Sequence, residues 1–266
     1  MSDRSVPSAK EVTGYMESLS NWGRWGPDDK LGTLNYITPQ KRITAAKLVK
    51  KGISVGCSRM IYPETAQDVL NSPLHYMAGT GTDAPQTGFG GATDFIGVAF
   101  HGYHITHIDS FSHIFWNAKS YNGLDAKSVN ARDRASEGGV QLLENGVVTR
   151  GVLLDIAKVR GVEWMKAGDG IFPEDLEAAE AAQNIKVEPG DALLYRTGWP
   201  KARNIDGPPP LPGRPGLHAA CLPWIHERGV ALIAADAATD VAPSGYRDGI
   251  PYPLPIHAIG ICAMGI

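Results

Sequence analysis

The chain has 266 residues, enough to bury a sizeable core within one domain. Its formal net charge is -3, charged residues make up 20% of it, and no run of lysine or arginine stands out. That balance excludes a basic nucleic-acid face and a polybasic membrane surface, and points to a small, roughly neutral or modestly polar partner. Cys57, Cys221 and Cys262 lie far apart without a C-x-x-C pair, which excludes a disulfide framework or zinc ribbon and predicts reduced, buried thiols. The polar N-terminus lacks an apolar stretch of signal-peptide length, and no window reaches the roughly 20 apolar residues of a membrane span. The expectation is a cytoplasmic protein.

In chain order, residues 9–19 carry a helical pattern and residues 21–35 form a Gly/Trp-rich stretch, NWGRWGPDDKLGTLN. Residues 38–51 predict a helix with Thr38 as cap and Pro39 in its first turn. Residues 53–62, ISVGCSRMIY, alternate well enough for a strand. Residues 78–93 are rich in glycine and small polar residues and predict a loop, either a wall of a pocket or a plain connection. That loop lacks the ending of a phosphate-binding loop and the glycine order of a dinucleotide fingerprint. Residues 95–109 are β-branched and aromatic and predict a strand or strand pair. Further strands are expected at 147–157 and 229–236, a Pro-Gly turn followed by a buried strand over 186–199, helices at 173–182 and 217–228, and a surface loop at 207–216. Strands separated by helices indicate an α/β domain.

Four of the eight histidines fall within HGYHITHIDSFSH, residues 101–113. Packing alone does not ask for such a cluster. On a strand, residues two apart share a face, so His107 and Asp109 would converge while His104 points away. Imidazole nitrogen with carboxylate oxygen suits Zn²⁺, Mn²⁺ or Fe²⁺, and His113 just beyond would sit over the open position. His101 shares the parity of His107, but six extended residues would put it roughly 20 Å away. A metal lowers the pKa of bound water to near 7, and a neighbouring imidazole can take that proton and deliver it to a leaving group. The combination suits hydroxide attack on an amide, lactone or ester carbonyl.

At these residues the sequence resembles the cyclase family of metal-dependent hydrolases, which includes kynurenine formamidase, isatin hydrolase and trans-dienelactone hydrolase. The family motif H-x-G-T-H-x-D-x-x-x-H aligns with YHITHIDSFSH, residues 103–113, and RGVLLDI, GDALLYRTGW and PLPIHAIGICAMGI extend the likeness over most of the chain. The resemblance implies a single domain over residues 1–266, of the swivelling β/β/α type, with a mixed, partly barrel-like sheet flanked by helices. It implies metal ligands His107, Asp109 and His257, with His113 as the catalytic histidine. One divalent ion, Zn²⁺ or Mn²⁺, a small-molecule carbonyl substrate and a homo-oligomer, dimer or tetramer, go with it. Tyr103 replaces the family's first motif histidine and Ile105 its glycine, which favours one metal over two. The Tyr103 phenol would then face the metal or donate to substrate oxygen. The family's late acidic ligand lies beyond Ile266, so a missing C-terminal tail is expected.

Arg196, after an apolar strand, is a candidate for binding substrate carboxylate or carbonyl, or else a structural ion pair. Trp25 and Phe89, with Trp22, are candidates for an aromatic wall, or else core. His218 and His226, two turns apart on the predicted helix, are read as surface or structural residues. Asp236 and Asp240 would support the metal site or cap the next segment. Two other classes fit part of the pattern. His107, Asp109 and His257 formally spell the facial triad of a non-haem iron oxygenase, although no cationic residue follows His257 and His113 would have no role. A catalytically degenerate binding protein on the same scaffold is the other.

Overall fold

The computed structural model describes residues 4–266 apart from 62, 64, 247 and 248. They fall into two compact units, one made of the chain up to Ile53 with Ile108–Ile205 and Pro212–Ile266, the other of Ser54–His107 with Asp206–Leu211. Helix α1, Ala9–Ser18, opens on a capping box in which the Ser8 hydroxyl accepts from the Glu11 amide and the Glu11 carboxylate accepts from the Ser8 amide. Helix α2, Pro39–Ala46, is capped by Thr38 as its sequence predicts, but it stops five residues before the expected end at 51. None of its residues is buried, and what fixes it besides its Thr38 cap is the ion pair of Lys41 with the buried Asp191 at 2.6 Å.

The smaller unit contains one antiparallel hairpin, β1 Leu74–Gly79 and β2 Thr93–Gly97, with Tyr76 opposite Phe95 and a register irregularity between Met77 and Gly79. The predicted loop at 78–93 is mainly the connection of this hairpin. Two expected strands are corrected here. The described part of 53–62 has no strand pairing, and the strand predicted over 95–109 ends at Gly97. Aromatic and β-branched content marks a surface that fits a sheet, and beyond Gly97 the described residues of this unit offer no further strand in the ladder.

In the larger unit, β3 Gly151–Asp155, β4 Ala192–Arg196 and β5 Leu232–Ala235 form a parallel sheet with β4 in the middle. Helices α3 Pro173–Gln183, α4 Trp199–Asp206, α5 Cys221–Glu227 and α6 Pro255–Ile259 complete a mixed α/β set, and α6 runs into a π-helical turn at Gly260–Met264. Val152 and Leu154 of β3 and Leu193 and Tyr195 of β4 are buried, while Leu153 on the opposite face is exposed. The buried face packs with Leu176 of α3, Ile225 of α5 and Ile259 of α6 in one apolar cluster.

A two-residue parallel pairing of Gly170–Ile171 with Gly216–Leu217 draws Leu217 out of the helix predicted at 217–228, so α5 starts only at Cys221. His218 is therefore not a helix-surface residue. It is buried, stacked on Phe172 at 4.5 Å, and burial pushes its imidazole down to about 4. Its Nδ1 accepts from the Ala220 amide, as a neutral ring does. His226 on α5 faces the Asn21 side-chain oxygen, so both histidines are structural. Cys221 and Cys262 are buried as expected, whereas Cys57 is exposed. Among the described residues no helix is long and apolar enough to cross a membrane.

The Gly/Trp-rich stretch closes on the C-terminal segment. The Asn21 side-chain amide donates to Met264 O at 2.8 Å, the Trp22 indole to Cys262 O at 2.6 Å, and the Thr33 amide to Gly265 O at 2.8 Å. Gly32 has φ +57, and a Cβ there would lie 2.1 Å from Gly265 O, so only glycine permits this approach.

Candidate metal centre

The larger unit brings Asp109, His113 and His257 together. Asp109 and His113 are joined by a turn in which the His113 amide donates to Ser110 O at 3.0 Å, and the Ser112 amide donates to Gly138 O at 3.1 Å. This turn sets His113 Nε2 3.8 Å from Asp109 Oδ1. The other carboxylate oxygen, Oδ2, faces His257 Nε2 at 3.5 Å. The two imidazole centroids are 6.3 Å apart. One carboxylate thus lies between two ring nitrogens, all three side chains being largely buried.

His257 sits in the first turn of α6 and is fixed from behind. Its Nδ1 is bonded to the Asp240 carboxylate and lies 3.2 Å from Thr239 Oγ1. Asp240, buried, also accepts the Ile256 amide at 2.7 Å and the His257 amide at 3.1 Å. A carboxylate behind one ring nitrogen fixes the tautomer and leaves Nε2 as the donor, the support found behind metal-bound histidines. Burial on its own lowers the pKa of His257, but hydrogen bonds to Asp109 and Asp240 outweigh it and raise the imidazole to about 9. Two carboxylates around one imidazole make the spot locally anionic. A proton occupies there the place for which a divalent cation would compete, and carboxylate oxygen with imidazole nitrogen is a donor set for such an ion. The residues present therefore fit a metal. Replacing Asp240 by Asn is expected to weaken zinc or manganese affinity about 10–100-fold. Titration against a competing chelator checks this, and the unfolding midpoint of the metal-free variant separates ligand positioning from a loss of fold.

His107 belongs to the smaller unit, and its surroundings correct the strand reading of the cluster. Residues 98–107 are irregular, the His101 and His107 rings are 5.4 Å apart in an edge arrangement, and His107 Nδ1 is 2.8 Å from Ile105 O. The roughly 20 Å expected between His101 and His107 on an extended strand is thus overturned by bending of the chain, and the alternating-face argument for His107, Asp109 and Tyr103 loses its basis. In the same unit, the Arg59 side chain donates to Tyr103 O at 3.0 Å and the Arg59 amide to Thr106 Oγ1 at 2.9 Å, while His104 is buried.

The remaining sequence candidates are placed as follows. Arg196 donates to Asp155 Oδ1 at 2.8 Å and to Glu163 O at 3.3 Å, which is the structural ion pair. Trp25 meets the edge of Tyr36 at 5.1 Å with the Arg24 guanidinium over its face. Phe89 is 95% exposed in the hairpin connection. Asp236 accepts from the Thr197 amide and hydroxyl and from the Gly198 amide, so it is a cap after β4. Asp240 is the support behind His257. Thr239 beside it was signalled only by its place next to an aspartate after a buried strand. Asp109 also borders an apolar cleft lined by Leu34, Phe111, Leu142 and Leu232, none of which sequence reasoning singled out.

Comparison with known proteins follows the same line. A crystal structure described as that of a novel cyclase superposes with a TM-score of 0.77 at 29% identity, covering 94% of this chain and 84% of that one. No curated protein matches the sequence. The profile of the family described as "Putative cyclase" matches residues 53–240, well over half of the length, and the chain belongs to that family.

Proposed function

We propose that the chain is a metal-dependent hydrolase that opens or cleaves an amide, a cyclic amide or a lactone. The observation that carries this reading is the Asp109 carboxylate set between His113 and His257, with His257 held from behind by Asp240. Asp109 and His257 would hold one divalent ion, Zn²⁺ or Mn²⁺. His107 joins them as a third ligand, and Tyr103 as a donor to substrate oxygen, on the strength of the sequence motif. When bound, such an ion polarises a carbonyl and brings the pKa of water near 7.

The chain's own contribution is positional and protonic. Asp240 keeps a proton of His257 on Nδ1, so that the Nε2 lone pair would be turned to the ion that Asp109 shares. His113, tied to the Ser110 turn, accepts a proton from the attacking water and passes it to the leaving nitrogen or oxygen. The apolar lining beside Asp109 suits a substrate with a hydrophobic body attached to its carbonyl. A swivelling β/β/α arrangement with a partly barrel-like sheet, as one domain over the chain, belongs to the same reading and is supported by the likeness to the cyclase crystal structure. An oxygenase would leave His113 idle beside the carboxylate.

The test is elemental mass spectrometry on wild type and Asp109→Ala purified side by side, with turnover on formamides, cyclic amides and lactones. Wild type is expected to carry about one equivalent of zinc or manganese and to hydrolyse at least one class. Asp109→Ala is expected to lose both. Full metal content and activity in that variant would sink the assignment.

A further inference from the structure

The whole-chain charge balance, which speaks against a polybasic surface, averages over an uneven chain. Residues 30–63 contain no aspartate or glutamate, and five cations fall within KRITAAKLVKK, residues 41–51. Helix α2 and the turn after it carry this stretch, all of it in the larger unit. Within α2 only Lys41 and Ala45 are partly buried. They stand four apart on the line that faces the body of the unit, where Lys41 reaches the buried Asp191 at 2.6 Å. The opposite side of the helix carries Ile43 and Lys47, also four apart, and residues 46–53 are exposed throughout.

Two kinds of side chain share this surface. Arg42, Lys47, Lys50 and Lys51 form no ion pair among the described residues. Ile43, Leu48, Val49 and Ile53 are each at least half exposed. Cations and aliphatic groups in one short stretch narrow the occupant. A second copy would set like charges against each other, with no carboxylate in the stretch to answer them. Nucleic acid would satisfy the cations but leave the aliphatic groups against phosphate and water, and residues 37–61 contain no aromatic side chain on which a base could stack. An anionic bilayer answers both kinds at once. Its headgroups attract the cations, and its acyl boundary, about 5–10 Å deep, takes in the aliphatic groups.

We propose that α2 and residues 47–53 form a reversible docking surface for an anionic lipid bilayer. The docking is independent of the metal reading. Lys41 ties the helix to the protein through Asp191, and the other four cations serve the lipid. Neither the few aliphatic groups nor the cations hold a protein at a membrane alone, but a shallow apolar insertion and a basic patch are two signals that act together.

Flotation of the full chain with phosphatidylcholine vesicles, with and without about 30% phosphatidylserine, tests this. At about 0.05 M salt, wild type is expected to bind the phosphatidylserine vesicles at least about 30-fold more tightly than pure phosphatidylcholine, and to let go at about 0.5 M. Arg42→Gln, Lys47→Gln, Lys50→Gln and Lys51→Gln combined are expected to weaken binding at least about 100-fold. The same charge change at Lys10, Lys127, Arg132 and Lys166, all exposed elsewhere in the unit, is expected to alter it less than about threefold. Ile43→Ser with Val49→Ser is expected to weaken binding about 10-fold and to leave its salt dependence unchanged. Wild type that ignores phosphatidylserine at low salt, or binds both vesicles equally, overturns the proposal, as does a four-glutamine variant that floats like wild type. A serine variant that binds undiminished also overturns it, in favour of an acidic protein or nucleic acid. Should the four-glutamine variant fail to fold by circular dichroism, hydrogen exchange on unaltered protein decides. Protection by phosphatidylserine vesicles centred on residues 42–53 supports the docking, and its absence there overturns it.

Discussion

His113→Ala is expected to lose about 10²–10⁴ of turnover while keeping the full metal content of wild type. The separation follows from how the three side chains are held. His257 is fixed by Asp240 and by α6, and Asp109 faces it through Oδ2, so neither relies on the His113 ring for its position. His113 meets the other oxygen, Oδ1, at 3.8 Å, and its backbone is tied by the Ser110 turn, which an alanine also adopts. On the proposed function, removing the imidazole takes away the proton carrier and leaves the ligands. The measurement pairs elemental analysis with kcat on the best substrate. Metal lost in proportion to activity would make His113 a ligand, and unchanged kcat would remove it from the mechanism.

The largest expected loss of stability is at Asp191, in the turn that launches the central strand β4. Its carboxylate is fully buried, accepts from Arg150 Nε at 2.9 Å and the Glu188 amide at 2.8 Å, and pairs with Lys41 Nζ at 2.6 Å. One side chain thus ties α2, the approach to β3 and the turn before β4. Asp191→Ala strands two cations at a partly buried site, and a broken buried pair costs about 3–5 kcal/mol. Urea unfolding should show the loss as a lower midpoint at unchanged slope. Burial pushes this carboxyl up, but the hydrogen bonds from Arg150, Lys41 and the Glu188 amide outweigh it and hold it below the ordinary carboxylate range. A lowered folded pKa means stability that is full above the unfolded value and lost as pH falls through the folded one. The gap between wild type and variant should therefore be widest near neutrality and close in acid. A gap independent of pH would mean that the ion pairs are not its source.

How far the sequence could be read divides along local and non-local lines. Helix α3 was legible almost to the residue, because Phe172, Pro173 and the acidic first turn are local signals. The strands β3, β4 and β5 were legible as apolar runs, β4 with the Pro-Gly turn before it, while the ends of β3 and β5 were set too wide because Val147, Val148, Ile156 and Val230 prolong the apolar run. The histidine cluster was recognised as chemistry but misread as geometry. Alternation of faces holds only along extended backbone, and residues 98–107 bend instead of forming a strand, so His101 and His107 come close instead of standing apart. His257 was reached through likeness to a family, since nothing local in PLPIH announces a partner about 150 residues earlier in the chain. Asp240 was within reach as an aspartate following a buried strand, but its choice of His257 over solvent is decided by the placement of α6.

The closure of Asn21, Trp22 and Thr33 onto residues 262–265 bears on how the chain is assembled in time. These bonds join positions more than 230 residues apart, and the Gly32 to Gly265 approach tolerates no side chain between them. On a ribosome that adds about 5–20 residues each second, the early stretch must wait on the order of ten seconds or more for its partner to emerge. Contacts of such sequence separation also slow the final search, because the loop has to close before any bond rewards it. During that interval Trp22 and its neighbours are uncovered, and α6, which carries His257, has no anchor at its far end. The approach of His257 to Asp109 therefore forms after the parallel sheet, and a nascent chain is most open to misassembly just before those two side chains come together.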